Sequence, residues 1–249
     1  LYYCLQLLRP IWKAKKLTIQ QLSPPIISII WILFLLIFQG SQFSKTLRYF
    51  LPLYPFTALV AAYFWTKITF SKWIKKIILI TFFIWPLLFI NIYTQTHPRI
   101  KASKWIYENV EKGSTLSCEL WDDCLPLSYQ GKNSSQFNYK TISLSVFDPD
   151  TKTKWNKLDQ QLEKIDYLII SSGRTWEPIT ANADRYPKMS KFYQQLFAGD
   201  LEFKKAAEFT SYPGFIFGDF NLKINDDKSE EAFTVYDHPR VIIFKKIKN

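Results

Sequence analysis

The sequence predicts a membrane α-helical region of three or more spans followed by an extracytoplasmic α/β domain. The distribution of charge and the placement of apolar runs predict it. Residues 1–96 carry ten Lys and Arg and no Asp or Glu, whereas all twenty-one acidic residues lie between Glu108 and Asp237. The net charge of +11 therefore divides into ten minus zero before residue 97 and twenty-two minus twenty-one after it. A uniformly basic surface would suggest nucleic acid as a partner. Here the excess is confined to the apolar half, so nucleic acid is excluded as the expected partner and a lipid bilayer takes its place.

Three charge-free runs, 22–38, 49–66 and 77–96, are rich in Ile, Leu, Phe and Trp. At 1.5 Å per residue each would make a helix of roughly 25–30 Å, about the thickness of the hydrocarbon layer. Buried helices of a soluble core can also be apolar all round. Three runs this close together, with Trp31, Tyr49, Trp65, Trp73 and Tyr93 near their ends, favour the bilayer reading. Arg9, Lys13, Lys15 and Lys16 precede the first run, and Lys67, Lys72, Lys75 and Lys76 separate the second from the third. Positive charge marks the cytoplasmic side, so residues 97–249 are expected outside, with the chain multi-pass in the plasma (inner) membrane. The opening at Leu1 on an apolar stretch, without a signal-peptide pattern, reads as the end of an earlier span in a larger polytopic protein.

Residues 97–249 show alternating helix and strand signals. Helical spacing runs through Ala102, Trp105, Ile106 and Val110, through Trp155, Leu158, Leu162 and Ile165, and through Met189, Phe192, Tyr193 and Leu196. Short apolar or alternating runs at 115–118, 141–146, 167–171 and 241–244 predict strands, hence a sheet with helices packed on it. Cys118 and Cys124 are six apart, a spacing that leaves both a bridge and two free thiols open. No cluster of His or Cys suggests a metal site. Asp122 and Asp123 read as caps of a short helix starting near Asp123, and Asp226, Asp227, Glu230 and Glu231 as a solvated loop. His97 and His238 read as structural, Gly173 and Gly214 as turns.

Before the second run, Lys45 and Arg48 place two cations at headgroup depth beside Tyr49, and Pro52 and Pro55 interrupt the helix start. The cations serve either as snorkelling anchors or as contacts to a lipid phosphate. The run Lys45 to Pro55, with Ala58, Ala61 and Ala62, resembles a late membrane segment of the protein O-mannosyltransferase and aminoarabinose-transferase superfamily. The stretches His97-Pro98-Arg99, Ala102 to Tyr107, Glu119-Leu120-Trp121-Asp122-Asp123, Asp166 to Ser172, Arg185-Tyr186-Pro187 and Glu208 to Pro213 are similar to the tails of its bacterial, phospholipid-carrier-dependent members.

The resemblance implies a C-type-fold glycosyltransferase that moves a sugar from a polyprenyl-phosphate carrier to an acceptor outside the membrane. Lys45, Arg48 and Tyr49 would then bind the lipid phosphate, and Glu119, Trp121, Asp122 and Asp123 would form an acceptor site in the tail. The family's catalytic acid lies in an early loop, and a divalent metal would be held by upstream residues. No acid precedes Glu108 in this chain, so it is not expected to catalyse transfer alone. The alternative is a non-catalytic, membrane-anchored extracytoplasmic domain that binds a ligand or partner. A transporter is disfavoured by the lack of any acid in the apolar half.

Overall fold

The computed structural model describes residues 24–42, 46–217 and 220–247. Lys45 and the opening stretch from Leu1 lie outside the described residues. Those described fall into two units, divided between Ile80 and Thr81.

The first unit holds helix α1 (Pro24–Ser41), a 3-10 helix over Leu47–Leu53 and helix α2 (Tyr54–Lys67). Helix α3 (Lys72–Ile90) begins here and continues into the second unit. Among the described residues a single helical stretch, Lys72–Asn109, is long and apolar enough to cross a membrane by length and composition. The expectation of three or more spans is thereby overturned. The described residues form a mixed α/β fold with a five-stranded sheet and one apolar helix of that length. The physical reason lies in helix continuity, which a count of uncharged residues does not measure. Pro52 and Pro55 split the second run into a 3-10 segment and a helix of 14 residues. A helix of that length spans only about 21 Å, short of the hydrocarbon layer. The apolar part of α1, Ile26–Ser41, is below the length that would cross a membrane.

In the second unit the end of α3 is seated in the α/β domain. The Phe89 ring lies 5.2 Å from Phe233 and 5.6 Å from His238 between centroids. A 3-10 turn over Asn91–Thr94 follows, where the Tyr93 hydroxyl donates to Asp237 at 2.6 Å. Helix α4 (Pro98–Asn109) starts with His97 as its cap, the imidazole accepting from the Arg99 amide while its other nitrogen meets the Tyr236 carbonyl at 3.1 Å. Pro98 suits the first helical position because no intrahelical acceptor exists there for its missing N–H.

The main sheet contains β1 (Thr115–Glu119), β2 (Lys140–Leu144), β3 (Tyr167–Ile170), β4 (Phe203–Phe209) and β7 (Val241–Lys246), in the order β2-β1-β3-β7-β4. Strand β1 runs parallel to β2 and β3, and β7 runs antiparallel to β3 and β4. A separate hairpin joins β5 (Gly214–Phe217) to β6 (Phe220–Lys223). Helix α5 (Lys152–Lys164) connects β2 to β3. Helices α6 (Trp176–Ala181) and α7 (Pro187–Ala198) follow β3, and the short α8 (Glu231–Thr234) precedes β7.

Both faces of the sheet are covered, as alternation along the central strands shows. Leu168, Ile170, Ile242 and Phe244 join Leu158, Met189, Tyr193 and Leu196 in one core under α5 and α7. Tyr167, Ile169, Val241 and Ile243 join Ala102, Ile106 and Val110 in a second core under α4. A strand buried on both sides reads as a continuous apolar run, which is how 167–170 and 241–244 stand out in the sequence.

Candidate functional site

The order β2-β1-β3 means that the chain leaves β1 toward one side and returns to the other. In open α/β sheets ligands favour the crevice at the carboxyl ends of the strands where such a reversal occurs. Here that end is built from the loop after β1, the Ser171–Thr175 turn after β3 and the start of α4.

Cys118 and Cys124 are joined by a disulfide with their Cα atoms 5.0 Å apart, which settles the pairing that the sequence left open. The closed loop carries Trp121 with φ +78° and 71% of its surface exposed. A bulky residue in the left-handed region costs about 1–2 kcal/mol, so its neighbours must hold it there. They are the disulfide, the Leu120 amide donating to the Leu144 carbonyl at 2.9 Å, and Arg174 donating to the Trp121 carbonyl at 3.0 Å.

Asp122 turns inward. It accepts from Arg99 at 3.1 Å and from the Ser172 hydroxyl at 2.5 Å, and its side chain has no exposed surface. Asp123 remains exposed and meets the same guanidinium at 3.0 Å. No helix starts at Asp123, so the capping role expected of the two aspartates is corrected. Buried Arg99, which the fold brings in from the first turn of α4, leaves its neighbour Asp122 no reason to seek backbone amides of a helix.

Glu119 ends β1 pointing into the core, where it accepts from the Thr175 hydroxyl and from the Tyr193 hydroxyl at 2.5 Å. Burial pushes its carboxyl up to about 7, against the pull of the two hydroxyls and with a push from Asp122. Glu119 therefore supports the loop from beneath, and Trp121 and Asp123 are the parts that a ligand would meet. Arg174 lies behind them, stacked on Tyr236 at 5.1 Å and 3.5 Å from Glu231. An aromatic face beside a carboxylate and a guanidinium suits a ligand with an apolar side and several hydroxyls.

The same end of the domain receives α3. Tyr236 joins the two: its carbonyl holds His97 at the helix exit and its ring carries Arg174 at the loop. Beside them Asp226 is buried and 2.8 Å from His238, so this part of the expected solvated loop is instead folded into the domain. Glu177 lies in the same region, its carboxyl pushed up to about 7 by burial and then by Glu231, Glu230 and Asp227.

Thus the structure brings Glu119, Trp121, Asp122 and Asp123 together. Lys45 lies outside the described residues. Arg48 and Tyr49 are both exposed on the 3-10 helix of the first unit, with the guanidinium 5.8 Å from the ring centroid. Sequence reasoning missed Ser172, Arg174, Thr175, Tyr193 and Tyr236 as members of the site. Ser172 could have been suspected as a polar residue directly after an apolar strand, but nothing local marks the others. Among the described residues no group of three or more His, Cys, Asp or Glu could hold a metal ion. No family model, curated protein or solved structure matches the chain.

Proposed function

We propose that this chain is part of a glycosyltransferase that draws a sugar from a polyprenyl-phosphate carrier, and that its α/β domain binds the acceptor at the outer surface of the membrane. The observation that carries the proposal is the coincidence of two features at one end of the domain. The apolar helix α3 enters there, and the strained, exposed Trp121 stands on its disulfide-closed loop there. A lipid-linked donor is confined to the membrane surface, so an acceptor-binding face has to lie beside a membrane attachment to meet it. The disulfide supports an oxidising, extracytoplasmic setting. The apolar part of α3 supports attachment by one helix: Phe82 is 74% and Leu87 66% exposed, which water would not favour.

In this reading Trp121 and Asp123 position the acceptor and Arg99 and Glu119 fix the loop, while Arg48 and Tyr49 precede the single crossing helix and take no part at the outer face. The base that takes the acceptor proton would come from outside this chain. The second reading, a non-catalytic binding domain, is favoured by the sequestration of Glu119 away from solvent.

Transfer of labelled sugar from a polyprenyl-phosphate donor, measured in membranes with and without the protein, distinguishes the two. Under the proposal transfer falls to background when the protein is absent. Trp121→Ala lowers it tenfold or more, the scale expected when a group that positions the acceptor is lost. Equal transfer in both membranes would leave the binding-domain reading.

A further inference from the structure

The β5–β6 hairpin stands apart from the main sheet, with Gly214 opposite Lys223 and Phe215 opposite Leu222. Its base is fixed. The Ile224 amide donates to the Pro213 carbonyl at 2.8 Å, and the Tyr212 hydroxyl donates to the Asp227 carboxylate at 2.9 Å. Ser211 donates to the side chain of Gln95 at 3.2 Å, and Gln95 is the residue that ends the 3-10 turn after α3. Strand β5 also packs on that turn. Gly214 is required by the close pairing, because a Cβ there would lie 2.1 Å from the Leu222 carbonyl oxygen.

A two-stranded ribbon has too little apolar surface to form a core of its own. Phe215 and Leu222, directly opposite one another and so on one face, are 50% and 42% exposed. Tyr93, on the adjoining turn, is 62% exposed. Lys223 is exposed on the other face, and the Lys101 amine is held below its ordinary range first by burial and then by the charge of Lys223. An apolar pair, a tyrosine and two neighbouring cations around the end of an apolar helix match the layered chemistry of a bilayer surface. Apolar groups enter the acyl boundary there, tyrosine sits at headgroup level and lysines reach anionic phosphates.

We infer that the β5–β6 hairpin is a wedge that enters the headgroup region of an anionic bilayer, with Phe215 and Leu222 at the acyl boundary and Lys101 and Lys223 on lipid phosphates. The inference rests on α3 crossing that bilayer, as proposed above. The wedge fixes the tilt of the domain, and with it the direction in which the Trp121 loop faces the membrane.

The test uses the whole chain with Cys4→Ser, reconstituted in vesicles of phosphatidylglycerol and phosphatidylcholine. A polarity-sensitive fluorophore is attached through Phe215→Cys, or through Lys157→Cys as a control on an exposed position of α5. The label at 215 is expected to shift to the blue and to be quenched at least twofold by nitroxide lipids, while the label at 157 is unaffected. Lys101→Gln with Lys223→Gln, or vesicles of phosphatidylcholine alone, should reduce the quenching. A chain that floats with the vesicles while its 215 label stays unquenched overturns the wedge alone. Quenching unchanged by Lys101→Gln with Lys223→Gln overturns the phosphate contacts, and quenching unchanged without anionic lipid overturns the preference for an anionic bilayer. A chain that fails to float overturns the membrane attachment by α3 and the wedge with it.

Discussion

Replacing Arg99 with alanine is expected to destabilise the α/β domain by about 3–5 kcal/mol, the usual consequence of removing one member of a buried ion pair. Arg99 is 7% exposed at its side chain and Asp122 is not exposed at all. Without the guanidinium the carboxylate keeps the Ser172 hydroxyl and the Asp123 amide as partners, which do not neutralise its charge. Denaturant unfolding followed by aromatic circular dichroism would measure the change. The double variant Arg99→Met with Asp122→Asn should recover most of the stability, because burying two neutral groups avoids the unpaired charge. An unfolding midpoint for Arg99→Ala equal to that of the unchanged protein would show that the pair does not hold the loop.

The second large effect concerns pH. The Glu119 carboxyl titrates at about 7 in the folded domain, against an ordinary value of 4.5, chiefly because burial disfavours the ion. A raised folded value means that the folded state binds the proton more tightly than the unfolded one. Its stabilising contribution is therefore complete below about pH 4.5 and is lost as the pH rises through 7. The full difference is of the order of 3 kcal/mol for this buried group. Glu119→Gln keeps the shape, its carbonyl oxygen accepting from one hydroxyl and its amide donating to the other, so it should flatten that part of the stability profile and be the more stable form at pH 8. Glu177 titrates in the same range, and Glu177→Gln in parallel separates the two contributions. A Glu119→Gln profile that runs parallel to the unchanged protein from pH 5 to 8 would contradict the assignment.

The residues that make the central strands and the long helices of the α/β domain were legible. Helical spacing at Ala102 and Ile106, at Leu158, and at Met189, Phe192 and Leu196 coincides with helices that bury those residues, because amphipathic period and burial are the same fact, while Leu162 is half-buried and Val110 lies just past the end of its helix. Strands β4 to β6 were not read. In β4 the sequence Phe203-Lys204-Lys205-Ala206-Ala207-Glu208-Phe209 breaks its alternation at a bulge between Lys205 and Ala207, and the register there depends on pairing with β7. The membrane region was over-read because three uncharged runs were equated with three helices, although Pro52 and Pro55 interrupt one of them. Of the site, the loop from Glu119 to Asp123 was visible as a polar and aromatic cluster after a strand. Its division into a buried support and an exposed face was not, since Arg99, Ser172, Thr175 and Tyr193 reach it only through tertiary packing.

The proposed function requires that α3 cross the membrane once and hold the α/β domain on its outer side. Labelling the Lys157→Cys, Cys4→Ser variant with a membrane-impermeant maleimide in intact cells tests it most directly, since residue 157 is exposed and the remaining two cysteines are bridged. The protein should be labelled fully before the cells are permeabilised. Labelling that appears only after permeabilisation would place the domain inside and contradict the account.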